Sequence, residues 1–156
     1  MTATKLLVAN RGEIAVRILR SAAERHLPTV AVYSEDDATS LHTRRADEVR
    51  PLTGRGARAY LDGQQIVALA KEAGADAIHP GYGFLSENAD FARRCAAAGI
   101  TFVGPSPETL ALFGDKAKAF FAAQVAGGGM MIKAVAGGGG RGMRPVHDVA
   151  EIEAAY

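Results

Sequence analysis

The feature that most constrains the fold of this chain is a regular alternation of short apolar runs with longer stretches of helical periodicity. Five runs have the length and composition of buried strands, at residues 6–9, 29–33, 49–52, 77–79 and 100–103. Between them, apolar side chains recur at the spacing of an amphipathic helix. The alternation predicts an α/β fold with a doubly wound, mostly parallel sheet.

Polar loops follow three of the predicted strands, at residues 10–13, 81–88 and 104–107. Ligands of such sheets bind beyond the carboxyl ends of the strands, so these loops form the predicted site. Asn10 is a residue type that caps helices, and we expect it to cap the helix that follows, which should run to about His26. The first loop lacks the G-x-G-x-x-G pattern, which argues against a nicotinamide-binding domain.

The composition excludes several classes of function. Lys and Arg total 18 and Asp and Glu total 17, so nothing favours nucleic acid or an anionic membrane as a partner. No apolar run approaches the ~20 residues that span a bilayer, and the first residues do not have the pattern of a signal peptide. A cytoplasmic protein is therefore expected. The single cysteine, Cys95, lies in a helical pattern and is expected to be a small buried residue, not a nucleophile.

A glycine-rich segment near the end of the chain has the composition of a phosphate-binding loop. Lys133 is followed by four glycines at 137–140 and then by Arg141. Glycines let backbone amides approach an anion closely, and the lysine adds a positive charge. The flanking runs, 130–135 and 143–146, predict a β-hairpin around the loop. A flexible hairpin tip is the alternative that the glycines alone leave open.

The polar residues beside the predicted strands have structural explanations as well as functional ones. His79, at the end of a strand, is expected to be a hydrogen-bonded structural group more than a catalyst. Asn88 suits a helix cap, as does Asp62, although Asn88 and Glu87 also have the chemistry to bind a ligand. The other histidines (His26, His42 and His147) have no metal-ligand spacing, so no metal site is predicted.

Five motifs occur in order along the chain: VANRGEIAVRILR (8–20), HPGYGFLSEN (79–88), FVGPS (102–106), GDK (114–116) and IKAVAGGGGRGMR (132–144). Together they resemble biotin carboxylase, the ATP-grasp subunit or domain of biotin-dependent acyl-CoA and pyruvate carboxylases. The resemblance covers nearly the whole chain but only the N-terminal part of the family's length. It implies a Rossmann-like pre-ATP-grasp domain, followed by a partial lid hairpin of the ATP-grasp domain.

The resemblance also implies an activity and a set of cofactors. Members of the family use ATP, Mg²⁺ and bicarbonate to carboxylate biotin on a carrier protein or domain, and a carboxyltransferase is the further partner. Matched motif by motif, the residues that contact ATP are Lys116, Lys133, Gly139, Gly140 and Met143.

Two further groups of residues take roles from the same resemblance. Tyr82 and Gly83 match a loop that faces the biotin and bicarbonate pocket. Arg17, Arg20 and Glu24 match a helix that takes part in a homodimer contact.

The chain departs from the family pattern in two ways. It ends at Tyr156, before the family's magnesium-binding and base-providing residues, so we expect no catalytic residue in this chain and no activity from it alone. The stretch at 117–129, between the GDK and IKA motifs, is also shorter than in the family. The chain therefore resembles an N-terminal fragment with an internal deletion.

The predicted organisation is a biotin carboxylase N-terminal domain at 1–115, a helix and glycine linker at 116–129, and the truncated start of the lid at 130–156. Two alternatives remain open at this stage. One is a non-catalytic dimerisation or interaction module. The other is a fragment of a different ATP-grasp ligase, similar to carbamoyl-phosphate synthase.

Overall fold

A five-stranded parallel sheet organises the first part of the chain. The computed structural model describes residues 3–114 in full, and beyond them the backbone of residues 130–133 and 143–146. The strands are β1 (Leu6–Val8), β2 (Thr29–Tyr33), β3 (Glu48–Pro51), β4 (Ala77–His79) and β5 (Thr101–Phe102). They lie in the order β3-β2-β1-β4-β5, with every neighbouring pair parallel. The predicted α/β fold is confirmed.

Helices connect the strands on both faces of the sheet. They are α1 (Gly12–Ala23), α2 (Gly56–Ala59), α3 (Gly63–Glu72), α4 (Ala89–Ala97) and α5 (Pro107–Gly114), with a short 3₁₀ turn at Glu35–Asp37. The strand order changes direction at β1, because the chain passes to β2 on one side and later to β4 on the other. This point, between the carboxyl ends of β1 and β4, is where open α/β sheets place their ligands.

Alternation along β1 divides the core into two layers. Leu6 and Val8 face α1 and pack with Ala15 and Leu19 of that helix. Leu7 faces the opposite side, in the cluster that contains residues of α3 and α4. Every residue of β1 is buried, as expected for a central strand that is covered on both faces.

Helix α1 ends at Ala23, three residues earlier than the sequence predicts. His26 adopts a left-handed conformation with φ of 53°, and the Leu27 N–H donates to the carbonyl oxygen of Ala22. Such a left-handed residue closes a helix, and glycine usually occupies the position. The prediction placed the helix end too late because the left-handed position is occupied by histidine and not by glycine, the residue that most clearly marks a helix end.

Two of the three predicted helix caps are confirmed. The Asp62 side chain accepts from the N–H of Gln65, and the Asn88 side chain accepts from the N–H of Phe91 at 2.8 Å. The prediction for Asn10 is wrong. Arg11 occupies the N-cap position of α1, because the amide group of Asn10 is committed to the loop after β4.

A two-stranded antiparallel sheet forms in the later part of the chain. Strands β6 (Met130–Lys133) and β7 (Met143–Val146) pair so that Lys133 lies opposite Met143. The predicted hairpin is therefore present in the backbone, and the glycine loop between its strands lies outside the described residues. The chain divides into two compact units, Met1–Leu110 and Ala111–Tyr156. The domain boundaries proposed from the sequence stay a prediction.

Within the part of the chain that the structure describes, no helix has the length and apolar character to cross a bilayer.

Candidate functional site

A tight turn follows β4 at the point where the strand order reverses. Gly81 and Gly83 have φ of 68° and 66°, and Phe84 has φ of 42°. Left-handed backbone is natural for glycine but costs a bulky residue roughly 1–3 kcal/mol. The Phe84 ring stacks on Tyr60, with centroids 5.3 Å apart and planes inclined by 24°. This contact helps to hold the strained turn in one conformation.

Asn10 joins this turn to the end of β1. Its Nδ2 donates to the carbonyl oxygens of Pro80, at 2.7 Å, and Tyr82, at 2.9 Å. His79 adds a third contact, since its Nδ1 accepts from the N–H of Gly81 at 3.0 Å. The backbone of the turn is therefore tied to two neighbouring strands.

Tyr82 projects from the turn into solvent, with 65% of its surface exposed. A tyrosine ring offers an apolar face and a polar hydroxyl, which suits a flat, amphipathic ligand. Gly83 beside it has no side chain, so a ligand can approach the backbone closely. The turn therefore combines a rigid backbone with an exposed aromatic ring, as a binding loop requires.

A groove of about 630 Å³ runs from this turn along α1. Its walls are mostly apolar and include Ile14, Ile18 and Val103, while Arg17, Arg25, His79 and Tyr82 supply the larger polar groups. The groove lies on the face of the sheet that α1 covers. It brings Arg17, predicted as a dimer residue, and Tyr82, predicted as a biotin-side residue, to the same surface.

A buried polar cluster lies at the carboxyl end of β2. The Asp37 carboxylate accepts from the Tyr60 hydroxyl at 2.9 Å, the Ser40 hydroxyl at 3.0 Å and the Arg11 guanidinium at 2.8 Å. The Ser34 hydroxyl also donates to it, at 3.2 Å. Burial alone raises the pKa of Asp37, but the hydrogen bonds from Tyr60 and Ser40 and the charge of Arg11 outweigh it and lower the pKa.

Tyr60 links this cluster to the turn. Burial, followed by the hydrogen bond to Asp37, raises the pKa of the Tyr60 hydroxyl to about 12. The Arg11 guanidinium lies 5.8 Å from the centre of the same ring, within range of a cation–π interaction. Tyr60, Arg11 and Asp37 therefore connect the loops after β1 and β2 to Phe84 in the turn.

Three groups with reactive chemistry prove to be structural. Cys95 is fully buried, and burial raises the pKa of its thiol to about 11, which confirms the prediction that it is not a nucleophile. His42 is also fully buried and its Nε2 donates to the carbonyl oxygen of Val32 at 3.2 Å. Among the described residues, its Nδ1 has no hydrogen-bond partner. His79 is half-buried and fixes Gly81, in agreement with its predicted structural role.

We expect the free energy of unfolding to fall as the pH drops below about 6.5, the ordinary pKa of histidine. Burial lowers the pKa of both His42 and His79 in the folded chain, so the unfolded chain takes up protons first. Each histidine then removes at most about 1.4 kcal/mol per pH unit, and neither removes any stability above that range. Urea unfolding at about pH 7.5 and about pH 5.5 measures the difference.

A glutamine at position 42 tests which group is responsible. In H42Q the side-chain amide can still donate to Val32, but it does not titrate, so the loss of stability at low pH should be smaller than in the wild type. An equal pH dependence in H42Q and the wild type would contradict the assignment to His42.

The structure describes the side chains of five residues that the sequence assigns to function. Tyr82 and Gly83 are exposed in the turn, and Arg17, Arg20 and Glu24 are exposed around α1. Arg17 lines the groove with Tyr82, whereas Arg20 and Glu24 are not among its lining residues.

The five predicted ATP contacts lie beyond the side chains that are described. The backbone places Lys133 opposite Met143 in the hairpin. Lys116, Gly139 and Gly140 lie outside the described residues. Residues 3–114 contain no cluster of His, Cys, Asp or Glu that could hold a metal ion.

Comparison with known proteins identifies the family. Residues 2–110 match the family model described as biotin carboxylase, N-terminal domain. Pyruvate carboxylase of Staphylococcus aureus is 49% identical over 180 residues, which include 97% of this chain and 16% of that protein. The biotin carboxylase of Halalkalibacterium halodurans is 46% identical over 179 residues, with coverage of 97% and 39%.

A solved structure agrees with these relatives. The 2-oxoglutarate carboxylase biotin carboxylase domain dimer of Hydrogenobacter thermophilus, in complex with MgADP and bicarbonate, superposes with a TM-score of 0.80 at 40% identity. The superposition covers 100% of this chain and 41% of the Hydrogenobacter thermophilus chain. This chain therefore spans well under half the length of the relatives.

The alignments also bear on the predicted deletion. The match to the pyruvate carboxylase runs over 180 positions, whereas the chain has 156 residues. At least 24 positions within the alignment therefore have no counterpart in this chain, so the chain is internally shorter than that relative, as its sequence predicts. The chain belongs to the biotin carboxylase family, of which it contains the N-terminal domain.

Proposed function

We propose that this chain contributes the N-terminal domain of an ATP-dependent biotin carboxylase, in which the whole protein uses MgATP and bicarbonate to carboxylate biotin. The observation that carries the proposal is the turn after β4. It has the HPGYG sequence of the family, it lies at the reversal of strand order, and it presents Tyr82 on a rigid backbone. In this proposal the Tyr82 ring and the Gly83 backbone meet biotin at the open edge of the sheet.

The nucleotide side of the proposal rests on the second unit. Lys116 and Lys133 would contact ATP phosphates, Gly139 and Gly140 would close over them, and Met143 would lie against the nucleotide. The opposed positions of Lys133 and Met143 support a hairpin with both residues at the base of the glycine loop. Mg²⁺, when bound, offsets the charge of the phosphates. The residues described here include no ligand set for it, so its ligands would come from elsewhere in the whole protein.

The proposed partners follow from the same assignment. A biotin carboxyl carrier protein or domain would deliver biotin, and a carboxyltransferase would use the product, in the cytoplasm. The exposed side chains of Arg17, Arg20 and Glu24 support a homodimer contact through α1. Sedimentation of the chain tests that contact, and a monomer at every concentration would count against it.

A hybrid enzyme tests the proposed activity. Residues 3–110 of this chain would replace the matching segment of the Halalkalibacterium halodurans biotin carboxylase. We expect biotin- and bicarbonate-dependent ATP hydrolysis within about tenfold of the parent. A tenfold difference in rate corresponds to a change of about 1.4 kcal/mol in the activation barrier. The 156-residue chain alone should show no such hydrolysis.

A second graft provides the control. The matching segment of the Staphylococcus aureus pyruvate carboxylase would be placed in the same host. An active control beside an inactive, folded hybrid with this chain would reject the proposed function. ATP hydrolysis by the 156-residue chain alone would instead show that the chain is active without the rest of a biotin carboxylase.

A further inference from the structure

Asn10 makes an unusual set of contacts for a residue that follows a strand. It is 2% exposed, and its Oδ1 accepts from the N–H of Arg11 at 2.8 Å. The two N–H groups of Nδ2 donate to the carbonyl oxygens of Pro80 and Tyr82. Both N–H donors of the amide are therefore used, and its oxygen accepts one hydrogen bond.

The fit between Asn10 and the turn is close. A Cβ at Gly81 would lie 2.7 Å from the Asn10 Nδ2 and 3.1 Å from a side-chain carbon of Ile14. The turn therefore has glycine at this position for two reasons, its φ of 68° and its contact with Asn10. Without the amide, the buried carbonyl of Pro80 would have no hydrogen bond, which is unfavourable, and the partly buried carbonyl of Tyr82 would lose its partner.

From these contacts we infer that Asn10 is a positioning residue, which fixes the Pro80–Tyr82 backbone and thereby keeps the Tyr82 ring directed out of the fold. The inference rests on the proposed function for the ligand that the ring meets, which is biotin. Asn10 acts through the turn and needs no contact with that ligand. The hydrogen bonds from Asn10 to the turn also explain why Arg11, and not Asn10, occupies the N-cap of α1.

Fluorine spectroscopy of the full chain tests the role. The chain contains four tyrosines, and fluorotyrosine labelling gives each a resonance that single Tyr-to-Phe variants assign. We expect N10A to change the Tyr82 resonance and leave that of Tyr33 in β2 unchanged. Amide exchange at Gly81, whose N–H donates to His79 within the turn, should be roughly tenfold faster or more, because one buried and one partly buried hydrogen bond to the turn are lost. Exchange in β1 and β2 should change much less.

Asn88 provides a matched control, because it is the other asparagine of the chain and caps α4. N88A should leave the Tyr82 resonance and the exchange at Gly81 unchanged. If N10A alters neither, or accelerates exchange equally throughout the sheet, Asn10 is an ordinary structural residue and the inference fails.

The wild-type chain supplies a measurement that requires no variant. The side-chain amide protons of Asn10 should exchange roughly tenfold more slowly than those of the exposed Asn88. Equal exchange rates would overturn the inference even if N10A does not fold.

The result can be separated from that of the proposed function. The measurements above involve no biotin, so their failure rejects the role of Asn10 and leaves the proposed activity standing. In the active hybrid, N10A should raise KM for biotin roughly tenfold with KM for ATP unchanged, because only the biotin side loses its orientation. Equal increases in both constants would contradict the inference, whereas an inactive hybrid would reject the proposed function and leave the role of Asn10 to the exchange data.

Discussion

Replacing Asp37 with alanine should reduce the free energy of unfolding by about 3 kcal/mol, measured by urea unfolding near neutral pH. The substitution leaves the Tyr60 hydroxyl without its acceptor inside the protein and removes the partner of Arg11. Arg11 is partly exposed and recovers water, which limits the loss. Tyr60 is fully buried and cannot recover water in the same way.

Two further variants separate the contribution of charge from that of hydrogen bonding. D37N retains a carbonyl oxygen that can accept from Tyr60, so its loss should be smaller than that of D37A. Asp36 is the adjacent carboxylate but is exposed, and D36A should have a much smaller effect than D37A. If D37A were destabilised by less than about 0.5 kcal/mol, the hydrogen bonds to Asp37 would not be a major source of stability.

The sequence predicts the fold well because the signals for its elements are local. The alternation of apolar runs with helical periodicity identifies all five strands of the parallel sheet. Asp62 and Asn88 cap their helices as expected, because a cap bonds to an amide only three residues away. The hairpin at 130–133 and 143–146 follows from the same local reasoning.

The parts that sequence reasoning missed depend on contacts between distant residues. Asn10 is 70 residues from Pro80. An asparagine just before a helix is typical of a helix cap, and nothing in the local sequence indicates that its side chain bonds to the turn after β4 instead. Asp37 is 26 residues from Arg11 and 23 from Tyr60, and no spacing rule joins these three. The loop at 81–88 is predicted from its position after a strand, and the ligand that it faces is predicted from the family resemblance. Its support from Asn10, Tyr60 and Phe84 requires the structure.

Of the single substitutions proposed for this chain, F91A is expected to lower the free energy of unfolding most, by about 4 kcal/mol. Phe91 lies on α4 and is 2% exposed. Its ring meets Phe102 of β5 edge to face, at 5.9 Å between centroids. Removal of the ring deletes buried apolar surface and leaves a cavity between α3, α4 and the sheet. Urea unfolding measures the loss, and R93A, an exposed position on the same helix, should stay within about 0.5 kcal/mol of the wild type.

Gly63 makes this prediction specific to packing. A Cβ at Gly63 would lie 2.8 Å from the Phe91 ring, so G63A should destabilise the wild type by about 1–3 kcal/mol through crowding. In the F91A background the same methyl group enters the cavity, so the crowding is relieved. The double variant should therefore be more stable than the sum of the single effects predicts. Additive effects would mean that the Phe91 ring does not occupy the space beside Gly63, and the packing of α4 against the start of α3 would have to be revised.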